Sequence, residues 1–223
     1  MGQMVTFKRP DGKDCQGYLA SPAGNDKAPG LVVVQEWWGL NDQIKGVAER
    51  LATQGYRALV PDLYRGKVTL DAAEAGHLMN NLNFADAAGQ DIKGAAQYLK
   101  QASAKVGVVG FCMGGALAVL AAVFVKESNA ASSWYGFPPE QAADVKTITA
   151  PLQLHFAEKD GFFTPDAARI LEGGLKEGKV PFESHWYNAD HAFGNESGQK
   201  YNAECAKLAW ERTVDFFAKH LKS

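Results

Sequence analysis

Val106-Gly-Val-Val-Gly-Phe-Cys-Met-Gly-Gly115, running on into Ala116-Leu-Ala-Val-Leu-Ala-Ala-Val-Phe-Val125, is the stretch on which the fold turns. The run Val106-Gly107-Val108-Val109 reads as a short buried strand, and the alanine- and leucine-rich segment after Gly115 favours helix. Between them Gly110-Phe111-Cys112-Met113-Gly114 gives G-x-C-x-G at a strand-to-helix junction, the nucleophile elbow with cysteine in place of serine. A sharp turn there forces the nucleophile into a strained backbone, and the flanking glycines let strand and helix approach without Cβ clashes. The following helix aims its N-terminal dipole at the sulfur, which favours thiolate. The Met113 N–H points where an oxyanion would form. A dinucleotide-binding loop needs G-x-G-x-x-G, and Cys112 stands where its second glycine would be. Cys15 and Cys205 lack this setting and read as packing or surface residues.

Outward from this junction the same alternation recurs. Leu31-Val32-Val33-Val34 and Ala58-Leu59-Val60 are continuous apolar runs, the mark of strands buried on both faces of a parallel sheet. Ser132–Tyr135, Leu152–Phe156 and Phe182–Trp186 extend the series. Helical stretches lie between them at Asp42–Gln54, Asp86–Lys100, Gly114–Lys126, Pro165–Glu177 and Tyr201–Leu221. The first twenty residues alternate apolar with polar around Asp11-Gly12 and predict a hairpin. The fold class expected is α/β: a mostly parallel central sheet, helices on both faces and an N-terminal antiparallel hairpin, in one domain over 1–223. Ligands bind such sheets beyond the carboxyl ends of the strands.

Composition removes other classes. Apolar residues make up 46% and charged residues 22%, and 23 Lys+Arg against 25 Asp+Glu leave a net charge of −2. This is globular usage, without the basic stripe of a nucleic-acid protein. The longest apolar run, Ala116–Val125, is half of the about 20 residues a bilayer requires, so no membrane partner is expected. The N-terminus shows no secretory signal, and three scattered cysteines make no disulfide framework, so a cytoplasmic, reducing location is expected. Asn195-Glu196-Ser197 fits a glycosylation sequon and is taken as a chance match. No histidine pair has metal-ligand spacing, so no metal is expected.

Nucleophile elbows carry the chain order nucleophile, acid, base. Past Leu152–Phe156 lies Asp160, beside Gly161 and just beyond a strand tip, as orienting acid, with Glu158 as its rival. The strand ending at Trp186-Tyr187 runs into Asn188-Ala-Asp-His191-Ala-Phe-Gly194, which makes His191 the base. The spacings, 160 − 112 = 48 and 191 − 160 = 31, suit one more strand–helix unit between members. Glu36 follows the run Leu31–Val34, where an unpaired carboxylate is costly, so it is either functional or held in a structural ion pair. Trp37 is placed to supply a second oxyanion N–H, because its loop follows the third strand.

Together these residues resemble the dienelactone hydrolase family of α/β-hydrolases. The likeness rests on Gln35-Glu36-Trp37-Trp38-Gly39, Pro61-Asp62-Leu63-Tyr64, the Cys112 elbow, Asp160 and His191-Ala192-Phe193, in order along nearly the whole chain. The resemblance implies cofactor-free hydrolysis of an ester or lactone, carboxymethylenebutenolidase-like, through an acyl-cysteine. It also implies that Glu36 holds the resting thiol until substrate helps shift its proton. Well-studied members grip an anionic lactone with arginines, one of them a few residues after the histidine; here that stretch is Gly194-Asn195-Glu196. Arg65 or Lys67 are the substitutes the sequence offers. Without them, neutral esters or lactones are expected to compete well, in a pocket flanked by Trp37, Trp38, Phe111 and Phe193. Two other readings remain: a carboxylesterase or thioesterase acting on neutral esters with the same residues, and a non-catalytic binding relative. The chain is expected to be a monomer or weak homo-oligomer.

Overall fold

The computed structural model describes residues 2–222. Eight strands form one sheet in the order β1-β2-β4-β3-β5-β6-β7-β8. β1 (Gln3–Lys8) and β2 (Asp14–Ala20) pair antiparallel, and β2 pairs antiparallel with β4 (Arg57–Pro61). From β4 onward every pairing is parallel: β3 (Gly30–Val34), β5 (Val106–Phe111), β6 (Ser128–Trp134), β7 (Leu152–Ala157) and β8 (Phe182–Tyr187).

The apolar runs have the burial their composition demands. Leu31, Val32, Val33 and Val34 are all 0% exposed. Their alternation divides two cores, because successive side chains of a strand point to opposite faces. Leu31 and Val33 pack with Ile44 and Leu51 of α1 (Asp42–Thr53) and Phe217 of α7 (Ala203–Leu221). Val32 and Val34 face Leu99 of α4 (Lys93–Lys100) and Leu117 of α5 (Met113–Phe124). A third cluster joins β7 to α6 (Pro165–Glu177) through Leu154, Leu171 and Leu175. Each fully buried Leu or Val contributes about 1.5–3 kcal/mol, so the two-sided cover is what holds the strand tips in place.

Capping residues fix where the helices start. Asn41, Thr164 and Asn202 each accept a backbone N–H with their side chains, and Pro165 opens α6 with a backbone angle already suited to helix. The strand runs expected at Ser132–Tyr135 and Leu152–Phe156 are found, β6 starting earlier, at Ser128, and ending at Trp134. The helix expected at Asp86–Lys100 is composite: α3 (Phe84–Asp86), a π-helical stretch (Ala87–Ile92), then α4. A further helix, α2 (Ala72–Asn80), stands where the sequence announces none. Among the described residues no helix is long and apolar enough to cross a membrane.

Candidate active site

The loops after β3, β5, β6, β7 and β8 converge at the carboxyl edge of the sheet. Cys112 sits at the elbow between β5 and α5 with φ 55° and ψ −119°, a positive φ that a side chain adopts only under strain. The geometry is possible because Gly114 lies against β3, where a Cβ would overlap the carbonyl oxygens of Val34 and Gln35. The Cys112 N–H donates to Trp134 O at 3.0 Å, tying the elbow to the end of β6.

His191, in the loop after β8, reaches the sulfur: its Nε2 lies 3.1 Å from Cys112 Sγ. Its Nδ1 lies 2.8 Å from Asp160 Oδ2. Asp160 is buried in the turn after β7, and its other oxygen accepts the N–H groups of Phe162 and Phe163 at 2.8 and 2.9 Å. Both oxygens of the carboxylate are thus engaged, which fixes the imidazole's tilt. Glu158, the rival acid, is exposed. His155, by contrast, belongs to the core and shares hydrogen bonds with Tyr187 and Gln153 at 2.7 and 2.8 Å.

Glu36 is 4% exposed, yet among the described residues no Lys or Arg pairs with it, which goes against a structural ion pair as its role. Its oxygens accept from neutral donors: Asn195 Nδ2 at 2.6 Å, Tyr135 OH at 3.2 Å and the Trp38 side chain. Burial raises the Glu36 pKa above its usual 4.5, with Asn195 the largest opposing influence. The Cys112 thiol is also pushed up, first by burial and then by the Glu36 charge, with the Met113 N–H opposing. This runs against the expectation of a thiolate favoured by the helix dipole: desolvation of the sulfur and the neighbouring carboxylate both favour the protonated thiol. The Met113 N–H faces the sulfur, and Trp37 lies in the turn after β3 on the cavity wall.

Asn195 and Tyr135 are site residues that the sequence reading did not single out. Tyr135 has φ 40° and is buried, with its ring 5.5 Å from His191. Asn195 reaches Glu36 because the chain turns back after the histidine: Ala192 has φ 61°, and Asn195 N donates to Ala192 O. Its Oδ1 accepts the Ser197 N–H at 2.9 Å, which orients the amide so that Nδ2 points at the carboxylate. The sequon match was the one local hint, and it pointed to other chemistry.

The cavity above Cys112 has a volume of about 600 Å³. Trp37 and Trp38 line it as expected, but Phe111 and Phe193 do not: both are buried, packed on Trp134. Phe162, Phe163 and Met79 take their place. The two cations put forward are also elsewhere. Arg65 is held by Asp91, with 2.8 and 3.0 Å contacts, and Lys67 does not line the cavity. The lysines at the cavity are Lys159 and Lys200, both exposed, and Lys200 pairs with Asp190 at 3.2 Å.

Comparison with known proteins places this architecture. The sequence model of the Dienelactone hydrolase family matches residues 15–221. "Protein usf" of Aquifex pyrophilus is 34% identical over 233 residues, covering 99% of this chain and 100% of that protein. A carboxymethylenebutenolidase of Pseudomonas putida is 30% identical over 227 residues, covering 96% of this chain and 95% of that one. Among solved structures, a Klebsiella pneumoniae protein provisionally named a dienelactone hydrolase superposes with a TM-score of 0.86 at 26% identity, covering 98% of this chain and 99% of that one.

Proposed function

Because the chain belongs to the dienelactone hydrolase family, we propose that it hydrolyses carboxylic esters or lactones through an acyl-cysteine on Cys112. The supporting observation is the unbroken line Asp160–His191–Cys112, with contacts of 2.8 and 3.1 Å, ending on a strained elbow. In the first half-reaction His191 Nε2 takes the thiol proton as Sγ bonds to the substrate carbonyl carbon. The Met113 and Trp37 N–H groups hold the resulting oxyanion. Collapse expels the alcohol, which leaves with the proton from His191. His191 then deprotonates water, which attacks the thioester carbonyl; the acid departs and the thiol is restored.

Asp160 sets the imidazole's orientation and stabilises its charged form. Glu36 keeps the resting sulfur protonated, so that the strong nucleophile forms when substrate is in place. A complete set of nucleophile, base and acid argues against a purely binding relative. The substrate is a small molecule, no cofactor enters these steps, and a reducing cytoplasm suits a catalytic thiol.

The test is mass spectrometry of enzyme quenched during turnover of nitrophenyl acetate. One acetyl group is expected, on Cys112, absent from Cys112→Ala. An adduct on Cys15 or Cys205 with Cys112 free would refute the assignment.

A further inference from the structure

The cavity over Cys112 is walled mostly by carbon, from two sides. Sheet order places β3 next to β5 on one side of the elbow strand and β7 two strands away on the other. The β3 loop brings Trp37 and Trp38, packed edge-to-face at 5.2 Å, and the β7 loop brings Phe162 and Phe163. Phe163 stacks on His191 at 5.6 Å and packs against Phe137. Phe162 also meets His191, at 5.2 Å, yet it is 77% exposed. It is not on a loose loop tip: its N–H is held at 2.8 Å by the same Asp160 that orients His191. A large ring kept in water on an anchored backbone, at the mouth of an apolar cavity, marks a contact surface for ligand.

Charge narrows the ligand further. The carboxylate in the cavity lining, Glu36, is held by neutral donors, and among the described residues no fixed cation there offsets it or attracts a second anion. The two lysines are exposed, and Asp190 already engages one of them. Lysine stems can lie along apolar surface while their heads stay in water.

We propose that Phe162 is a specificity-determining residue, and that the preferred substrates are neutral carboxylic esters whose acyl part carries an aryl or medium-length alkyl group packing on its ring. The proposal rests on the acyl-cysteine reading and adds the substrate class to it.

Nitrophenyl acetate, butanoate and octanoate, with the nitrophenyl monoester of octanedioic acid, test it in the wild type, Phe162→Ala and Phe162→Leu. In the wild type kcat/KM rises with chain length, and octanoate is preferred to the octanedioate monoester. In Phe162→Ala the octanoate-to-acetate ratio falls about tenfold, which is what losing roughly 55 Å² of apolar contact gives at ~25 cal/mol per Å². Phe162→Leu retains most of the ratio. Backbone donation to Asp160 survives in both variants, so acylation of Cys112 by nitrophenyl acetate is the internal check. A flat chain-length series, or an unchanged ratio in Phe162→Ala, with Cys112 acylated normally, overturns the proposal and leaves the acyl-cysteine reading standing. Preference for the octanedioate monoester overturns it in favour of charge reading by Lys159 or Lys200. Absence of any acyl-Cys112 overturns both.

Discussion

Replacing Asn195 with alanine removes the shortest hydrogen bond to a buried carboxylate. Asn195 Nδ2 donates to Glu36 Oε2 at 2.6 Å, and the two residues are 5% and 4% exposed. Water cannot readily take the amide's place, and the Tyr135 hydroxyl serves the other oxygen. A hydrogen bond to a buried charged group is worth about 1.5–3 kcal/mol, so this is the expected loss while Glu36 is ionised. For a chain of this length that lowers Tm by about 3–12 °C. The loss depends on pH. Burial raises the folded-state pKa of Glu36 above its usual 4.5, so its ionisation costs stability as pH climbs through the raised value. Without Asn195 the ionised form is still more disfavoured, so the gap between variant and wild type widens with rising pH. Below the raised pKa both proteins hold a neutral carboxyl, and most of the gap closes. Urea unfolding of both proteins from about pH 5 to about pH 8 measures this. Asn195→Asp, which places a second acceptor at the same oxygen, should give a steeper version of the same slope. A destabilisation equal at every pH, or below about 0.5 kcal/mol at the alkaline end, would refute the view that Asn195 holds a charge.

Three other perturbations follow from the same geometry. His191→Ala should lower kcat on nitrophenyl acetate by about 10²–10⁴-fold, and Asp160→Asn by less, because only the histidine carries the proton; an Asp160→Asn enzyme as fast as wild type would return the acid's role to Glu158. Glu36→Gln removes the charge that helps raise the Cys112 pKa, so iodoacetamide should alkylate the thiol faster at fixed pH; an unchanged rate would mean Glu36 does not act on the sulfur. Gly114→Ala places a Cβ against the carbonyl oxygens of Val34 and Gln35 at the end of β3 and should cost about 1–3 kcal/mol in denaturant unfolding while displacing the elbow; a variant as stable and active as wild type would show that the close approach is not required.

How much of this was written locally can be told residue by residue. Leu31–Val34 announces a strand buried on both faces because a doubly covered strand has no solvent side to pattern, and the structure places it at the centre of the sheet. Cys112, Asp160 and His191, which the fold brings within hydrogen-bond distance of one another, could be picked out because each stands in a loop just past a strand, where the carboxyl edge must be. Helix α2 was hidden because only Ala75 and Leu78 of its nine residues are buried, too few to set a period, and its cap at Asp71 was the remaining signal. Phe111 was misplaced because it continues the parity of Val109, which turns it to the α1 and α7 face rather than the cavity. Asn195 and Tyr135 could not be found by local rules at all. Their partner Glu36 lies 159 and 99 residues away, and only the fold makes them neighbours.

That separation also sets when the site comes into being. The elbow, β3 and Glu36 all precede residue 115, whereas His191 and Asn195 arrive with the last strand and the loop beyond it. Contacts spanning 79 residues to the sulfur and 159 to the carboxylate close the largest loops in the site, and long loops close late. During synthesis the sheet's centre can therefore assemble around a sulfur that has no imidazole beside it and a carboxylate lacking its amide donor. Under the proposed mechanism the thiol gains its base only once the loop after β8 has been made and has docked, so reactivity waits for the fold rather than for the cysteine.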